Sequence, residues 1–231
     1  MKISVIIPTF NEEDSIAKLV KHLIKQGGEA VLEILVIDGG SSDKTIERAR
    51  NAGAKTFFSE KKGRAYQMNF GADKAIGGII YFVHADSWPP ESYAKDILSA
   101  ISEGFEFGCY RFRFKSNRLM LRFNSYCTRF DRLICRGGDQ TLYVTKELFR
   151  KVGGYKKWMI MEEYDFIIRV RKQASFKIIP KDVLVSARKY EKNSYFRVNL
   201  ANFVVFMMFY MGCSQNRMLS TYKSMIQHAK F

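Results

Sequence analysis

Two hydrophobic periods alternate over the first ninety residues. Ile3–Ile7 is an unbroken apolar run with β-branched side chains, the pattern of a strand buried on both faces, and Pro8 is expected to end it. Asn11 then offers a helix cap. Ile16, Leu19, Val20, Leu23 and Ile24 fall on one helical stripe before Gly27 and Gly28 stop it. The same reading predicts a strand over Glu33–Ile37, a helix from Ser42 or Asp43 to about Ala52, and a strand over Ala54–Ser59. A helix over Ala65–Ala75 and a fourth strand over Ile79–Val83 follow. Strand and helix alternating at this spacing predict an α/β fold, with a mostly parallel central sheet and helices on both faces.

Beyond Pro90 the rhythm changes. Phe105–Phe114 reads as a strand, "GGDQTLYVTKELFRKVGGY" as a strand and a short helix, and Met161–Lys172 as a helix with an acidic start. "FKIIP" is a short strand, and a helical tail begins at Tyr195. No internal repeat or linker interrupts this order, so one domain with a C-terminal helical extension is expected.

Composition changes the picture in one respect. The chain of 231 residues carries a net charge of +15, which favours an anionic partner: nucleic acid, an acidic membrane surface or a phosphorylated substrate. Cys109, Cys127, Cys135 and Cys213 lack the spacing of a zinc site, so reduced thiols and a cytoplasmic location are the expectation. The apolar N-terminal run is too short for a signal peptide, and "NFVVFMMFYMG" is too short to span a bilayer. Between Arg111 and Arg136, eight basic residues meet a single acid and alternate with aromatic and aliphatic side chains. That mixture suits a lipid-phosphate surface or nucleic acid equally, while the apolar tail suits a membrane surface, a packed helix or a dimer contact.

In open α/β sheets, ligands bind beyond the carboxyl ends of the strands. Polar residues stand at three such ends here: Pro8-Thr9-Phe10-Asn11-Glu12, Asp38 to Asp43, and His84-Ala85-Asp86. Dinucleotide and P-loop fingerprints are both absent. "GGSSD" is either a phosphate-facing loop or a well-capped turn, and Arg64 is either a phosphate contact or a surface charge.

Taken together, "SVIIPTFNEE", "ILVIDGGSSDKT", "GRAYQMNFGA", "FVHADSWPP", "GGDQTLYV" and "MEEYDFIIRVRK" resemble the ordered motifs of family 2 glycosyltransferases with a GT-A fold. The likeness is greatest to the subgroup associated with radical-SAM and selenodomain proteins, which has a counterpart of "SARKY" followed by an apolar helix. It implies a GT-A domain over residues 1–190, with a nucleotide-sugar half at 1–90 and an acceptor half at 91–190, and a helical extension at 191–231.

The resemblance also implies roles. Pro8, Thr9, Asn11 and Glu12 would surround the base and ribose. Asp38 would read the base edge with Asp43 in the same loop, and Arg64 would lie near the donor. His84-Ala85-Asp86 takes the D-x-D position, where Asp86 would hold Mg2+ or Mn2+ on the diphosphate. His84 departs from that pattern; a neutral imidazole there can bond a ribose hydroxyl, cap the strand end or stand behind the metal ligand. Arg188 would lie beside the diphosphate, and Gly138, Asp139 and Gln140 would approach the acceptor. Glu163 takes the position of the catalytic base, with Glu162 and Asp165 as alternatives.

The activity implied is inverting, metal-dependent transfer of a sugar from a nucleoside-diphosphate sugar to an acceptor hydroxyl. A lipid-linked acceptor and peripheral contact with the inner membrane surface fit the basic, aromatic stretch. Two other readings stay open: a nucleotide-sugar-binding protein without catalysis, and a basic nucleic-acid-binding α/β protein. The second leaves the acids at three strand ends unexplained, and nucleic acid is not the expected partner.

Overall fold

The computed structural model describes residues 1–227, so positions 228–231 of the expected C-terminal extension lie outside the described residues. The chain runs β1 (Ile3–Thr9), α1 (Ile16–Gly27), β2 (Val31–Asp38), α2 (Thr45–Asn51), β3 (Lys55–Phe58), α3 (Arg64–Lys74) and β4 (Ile79–Phe82). It continues through β5 (Ser87–Trp88), α4 (Tyr93–Ser102), β6 (Phe107–Phe114), α5 (Leu119–Cys127), β7 (Leu142–Thr145), α6 (Lys146–Lys151) and α7 (Glu162–Arg171). Last come β8 (Phe176–Val185), α8 (Lys189–Lys192), α9 (Tyr195–Tyr210) and α10 (Gln215–Met225).

All eight strands form one sheet in the order β3-β2-β1-β4-β7-β6-β8-β5. The first four pair in parallel, and β7 enters antiparallel between β4 and β6. Period-two alternation divides β1 between two cores. Ile3, Val5 and Ile7 face α1 and α4, while Ile6 faces α3, α6 and α7. Both faces are therefore dry, which is why β1 reads as a continuous apolar run.

Several boundaries differ from expectation. Pro8 lies inside β1, opposite Ile37 of β2. The Ile6 carbonyl faces β4, so Pro8, two residues on, turns its missing N–H toward the same side, where β4 has already ended at Phe82. Asn11 does not cap α1, which begins at Ile16 without a side-chain cap. Ile24 is exposed, and Gly28 at φ +50° ends the helix.

β8 runs five residues past the expected "FKIIP" strand, because a register shift opposite Tyr110 and Arg111 accommodates Pro180. Helices α4 and α5 were not anticipated. The α4 stripe of Tyr93, Ala94, Ile97 and Ala100 is regular and buried, but follows two prolines that read as loop.

Glu33 ties three strand-edge segments together. Its buried carboxylate accepts from the Ser4 hydroxyl and the Ile76 N–H, both at 2.8 Å, and pairs with Lys55 at 2.9 Å. Burial alone would raise its pKa, but these donors hold it below the ordinary 4.5. A carboxyl lowered on folding stabilises the fold fully above its unfolded pKa and loses that contribution as pH falls through the folded value. Glu33→Ala is expected to cost about 1–3 kcal/mol at pH 7 in urea unfolding. The gap to wild type should narrow as pH drops below 4.5.

Candidate active site

The loops after β1 and β2 form one braced unit. Asp38 is fully buried; its Oδ2 accepts the Gly40 and Ser41 N–H groups at 2.8 Å and its Oδ1 accepts the Ser41 hydroxyl at 2.5 Å. The Thr9 hydroxyl approaches the same oxygen at 3.4 Å, so the carboxylate is saturated from within. Asp38, expected at the base edge, is seen here shaping its own loop.

Asp43 also turns inward, accepting from Thr45 and from the Glu13 N–H, and these bonds hold its carboxyl below its usual range against the effect of burial. The Asn11 N–H donates to Ser41 Oγ at 2.8 Å, and Asn11 Oδ1 accepts the Ser42 N–H at 2.9 Å. Gln67 crosses beneath, donating to the Thr9 and Ile37 carbonyls at 2.9 and 2.7 Å. Pro8, Thr9 and Ala85 are buried, Glu12 is buried against Arg188, and Asn11 is half-buried at the rim.

The end of β4 delivers the charged cluster. His84 is buried, with Nε2 3.3 Å from Glu163 Oε1 and Nδ1 3.8 Å from Asp139 Oδ1. Burial would lower its pKa, but the two carboxylates push it up to about 10. The two carboxylates thus favour the charged form of the ring, against the expectation of a neutral one. Asp139 responds in the opposite sense: burial would raise its pKa, and His84, with help from Lys189 and Arg64, lowers it.

Asp86 is more open. Arg188 lies 3.7 Å from its Oδ2 and 3.0 Å from Glu12 Oε2. Burial, then Asp139 and Glu12, raise the Asp86 carboxyl, with His84 and Arg188 working against them. Across the site, Arg64 Nε stands 3.5 Å from buried Glu162. Burial and the neighbouring Glu163 raise the Glu162 carboxyl against the pull of Arg64.

The acidic helix is held from behind. Phe166 packs on Tyr155 at 4.4 Å, Phe149 at 5.4 Å and Phe107 at 5.8 Å between ring centroids. Asp165 faces this side: Lys156 and Arg169 each approach it at 2.7 Å, and Arg169 also donates to the Val152 and Gly154 carbonyls. Asp165 therefore anchors α7, which removes it as a candidate base.

Gly138 makes the facing approach possible, because a Cβ there would lie 2.1 Å from Glu163 Oε1 and 2.3 Å from the His84 ring. Gln140 is buried beneath this turn. Asn11, Thr141 and Met161 are the non-glycine residues with positive φ among the described residues, and all flank this cluster. Left-handed backbone at a β-branched residue such as Thr141 is strained, and such strain gathers at functional sites. The Thr141 hydroxyl meets the Tyr81 hydroxyl at 2.8 Å, which helps hold it there.

The carboxylate of Asp86 is a hard oxygen donor of the kind that suits Mg2+ or Mn2+. Among the described residues no three His, Cys, Asp or Glu side chains form a ready metal cage. Asp86 would therefore share an ion with ligand oxygens, as Mg2+ sites commonly do. Residues not anticipated from the sequence also build the site. Gln215 of α10 accepts the Met159 and Ile160 N–H groups at 3.1 and 3.3 Å, and Tyr164 stacks edge-on against Phe206 of α9 at 5.5 Å. No local signal marks contacts between segments so distant in the chain.

Comparison with known proteins accords with this geometry. Residues 4–156 match the family model described as Glycosyl transferase family 2. A dolichyl N-acetyl-alpha-D-glucosaminyl phosphate 3-beta-D-2,3-diacetamido-2,3-dideoxy-beta-D-glucuronosyltransferase of Methanococcus voltae is 32% identical over 102 residues, covering 41% of this chain and 32% of that protein. The chain spans about a third of the length of the curated relatives it matches.

Among solved structures, glucosyl-3-phosphoglycerate synthase from Mycobacterium tuberculosis, in complex with Mn2+, UDP-glucose and phosphoglyceric acid, superposes with a TM-score of 0.69 at 16% identity. That match covers 92% of this chain and 80% of the other. S. aureus TarS residues 1–349, in complex with UDP-GlcNAc, gives 0.67 at 21% identity over 81% of this chain and 59% of the other. The fold is GT-A.

The anchoring role of Asp165 has a direct check. Asp165→Asn is expected to lose about 1–3 kcal/mol in denaturant unfolding, because Lys156 and Arg169 lose a shared charged acceptor. An unchanged midpoint would return Asp165 to the list of chemical groups.

Proposed function

The chain belongs to glycosyl transferase family 2, and from that membership and the site's geometry we propose that it transfers a sugar from a nucleoside-diphosphate sugar to an acceptor hydroxyl, with inversion. The observation that carries this reading is the bridge from His84 to Glu163 at 3.3 Å, which joins the donor-side strand end to the acceptor-side acidic helix. A basic nucleic-acid surface would have no use for carboxylates gathered in this way.

In this reading Asn11 and Glu12 border the nucleotide, and Asp86 would hold Mg2+ or Mn2+, which when bound would supply charge neutralisation for the departing nucleotide. Arg188 and Arg64 bring fixed positive charge to the same region. Glu163 accepts the proton of the acceptor hydroxyl while that oxygen attacks the anomeric carbon. The bond to the diphosphate breaks on the opposite face, and the bonding pair leaves with the nucleotide. Glu162 orients Arg64, and Asp139 with His84 sets the position of Glu163.

The acceptor we assign is lipid-linked, supported by the dolichyl phosphate named for the Methanococcus voltae relative. Within the family, "SARKY" followed by apolar α9 supports the radical-SAM- and selenodomain-associated subgroup.

Binding of UDP- and GDP-sugars, measured by calorimetry with and without Mn2+, tests the donor half. Wild type should bind in a metal-dependent manner, and Asp86→Ala should lose that dependence; absence of any metal-dependent binding sinks the proposal. Glu163→Gln should retain donor binding and lose about 10²–10⁴-fold in release of nucleoside diphosphate. Gly138→Ala should cost turnover similarly, since its Cβ falls 2.1 Å from Glu163 Oε1.

A further inference from the structure

Helices α5 and α9 lie side by side on the acceptor half. Asn124 donates to Asn199 at 3.0 Å, and Tyr195 donates to Asn124 at 2.7 Å. Each helix turns an apolar stripe outward. On α9 the stripe is Phe196, Leu200, Phe203, Met207 and Tyr210, spaced i, i+4, i+7, i+11, i+14, with Phe196 71% exposed. From α5 onward it is Leu119, Phe123, Tyr126 and Phe130, spaced i, i+4, i+7, i+11, with Leu119 75% exposed. The inward face of α9 is the thinner one, made of Val198, Ala201 and Val205. A helix apolar on both sides is built to be covered on both sides, and rows of large exposed apolar side chains mark an interaction surface.

The charges around the stripes are of one sign. Arg118, Arg122, Arg129, Arg132 and Arg197 are exposed. Asp131 is paired with Arg171, and the sequence contains no Asp or Glu after Glu191. We propose that this face docks α5 and α9 flat on an anionic phospholipid bilayer.

A second copy of the chain fits less well, because a two-fold contact would set one arginine rim against another. Nucleic acid would use the arginines and the aromatic rings, but it would leave the exposed aliphatic side chains of Leu119, Leu200 and Met207 in water, whereas an apolar phase covers all of them. With 16 residues, α9 is about 24 Å long, and no described helix is long and apolar enough to cross a membrane. An in-plane helix with apolar side chains below and arginines at headgroup level is the arrangement left.

The inner face of α9 reaches the site. Phe206 meets Tyr164, Phe209 meets Trp158, and Val205 packs with Ile160, just before Glu162 and Glu163. A docked protein would hold its acidic helix one helix-thickness from the lipid surface, where a lipid-linked hydroxyl is presented. The docking rests on the proposed function for the acceptor's identity, and its test does not.

Co-sedimentation of the full chain with sucrose-loaded vesicles is the test, with no nucleotide or metal present. Vesicles containing about 30 mol% phosphatidylglycerol should bind the protein at least about tenfold better than pure phosphatidylcholine, with the preference falling at high salt. Phe196→Ser with Phe203→Ser should reduce the bound fraction about tenfold, and Phe123→Ser, on the other helix, should act in the same direction. Circular dichroism melts and Mn2+-dependent UDP binding report whether each variant is folded.

The proposal is overturned if wild type stays in the supernatant or if folded variants bind vesicles as wild type does. It is also overturned if sedimentation equilibrium finds a dimer that the double substitution dissociates. Vesicle binding without metal-dependent nucleotide-sugar binding supports the docking and defeats the transferase reading. The reverse result defeats the docking alone.

Discussion

Five carboxylates, those of Glu12, Asp86, Asp139, Glu162 and Glu163, are drawn together beyond the ends of the central strands, with Glu12, Glu162 and Glu163 buried and Asp86 and Asp139 partly exposed. Like charges in that setting repel strongly, and burial penalises each one further. The arrangement stands because three cations are threaded among them. His84 sits between Asp139 and Glu163, Arg64 beside Glu162, and Arg188 between Glu12 and Asp86. The pairs cross 176 positions at Arg188 and Glu12, so the chain's two ends are bound together by the site itself.

The balance is uneven across the site, and the unevenness is chemically useful. His84 stands between Glu163 and Asp139 and is the cation paired with Glu163. Burial and acidic neighbours destabilise the charge of Asp86, a deficit that a divalent cation would offset. The Glu162 carboxyl is likewise raised by burial despite Arg64, so the site holds acids of unequal character.

Holding this arrangement requires rigidity elsewhere. Asp38 and Asp43 spend their acceptors on their own loops, and Gln67 ties those loops to α3. Asn11, Thr141 and Met161 adopt left-handed backbone at the site's border, and packing behind Phe166 over-determines the acidic helix. Helices α9 and α10 complete the acceptor wall through Gln215 and Tyr164, so the C-terminal segment serves the site on one side and presents an apolar face on the other.

Local pattern was enough to determine the parallel strands, the helices between them and the strand ends where polar chemistry collects. Burial on both faces of β1, β2 and β4 writes itself as apolar runs, and the motifs from Ser4 to Lys172 mark the family. What each acid does was not legible. Asp38 and Asp43 look like ligand groups in the sequence and are seen bracing their own loops; Asp165 anchors its helix through Lys156; His84 lies between carboxylates that raise its pKa. The reason is physical. A side chain's charge state and free lone pairs depend on which donors and charges surround it, and those come from residues tens to hundreds of positions away. Where the polar groups gather is written in the order of the chain. Which donors and charges surround each of them follows from contacts between distant segments, made only on folding.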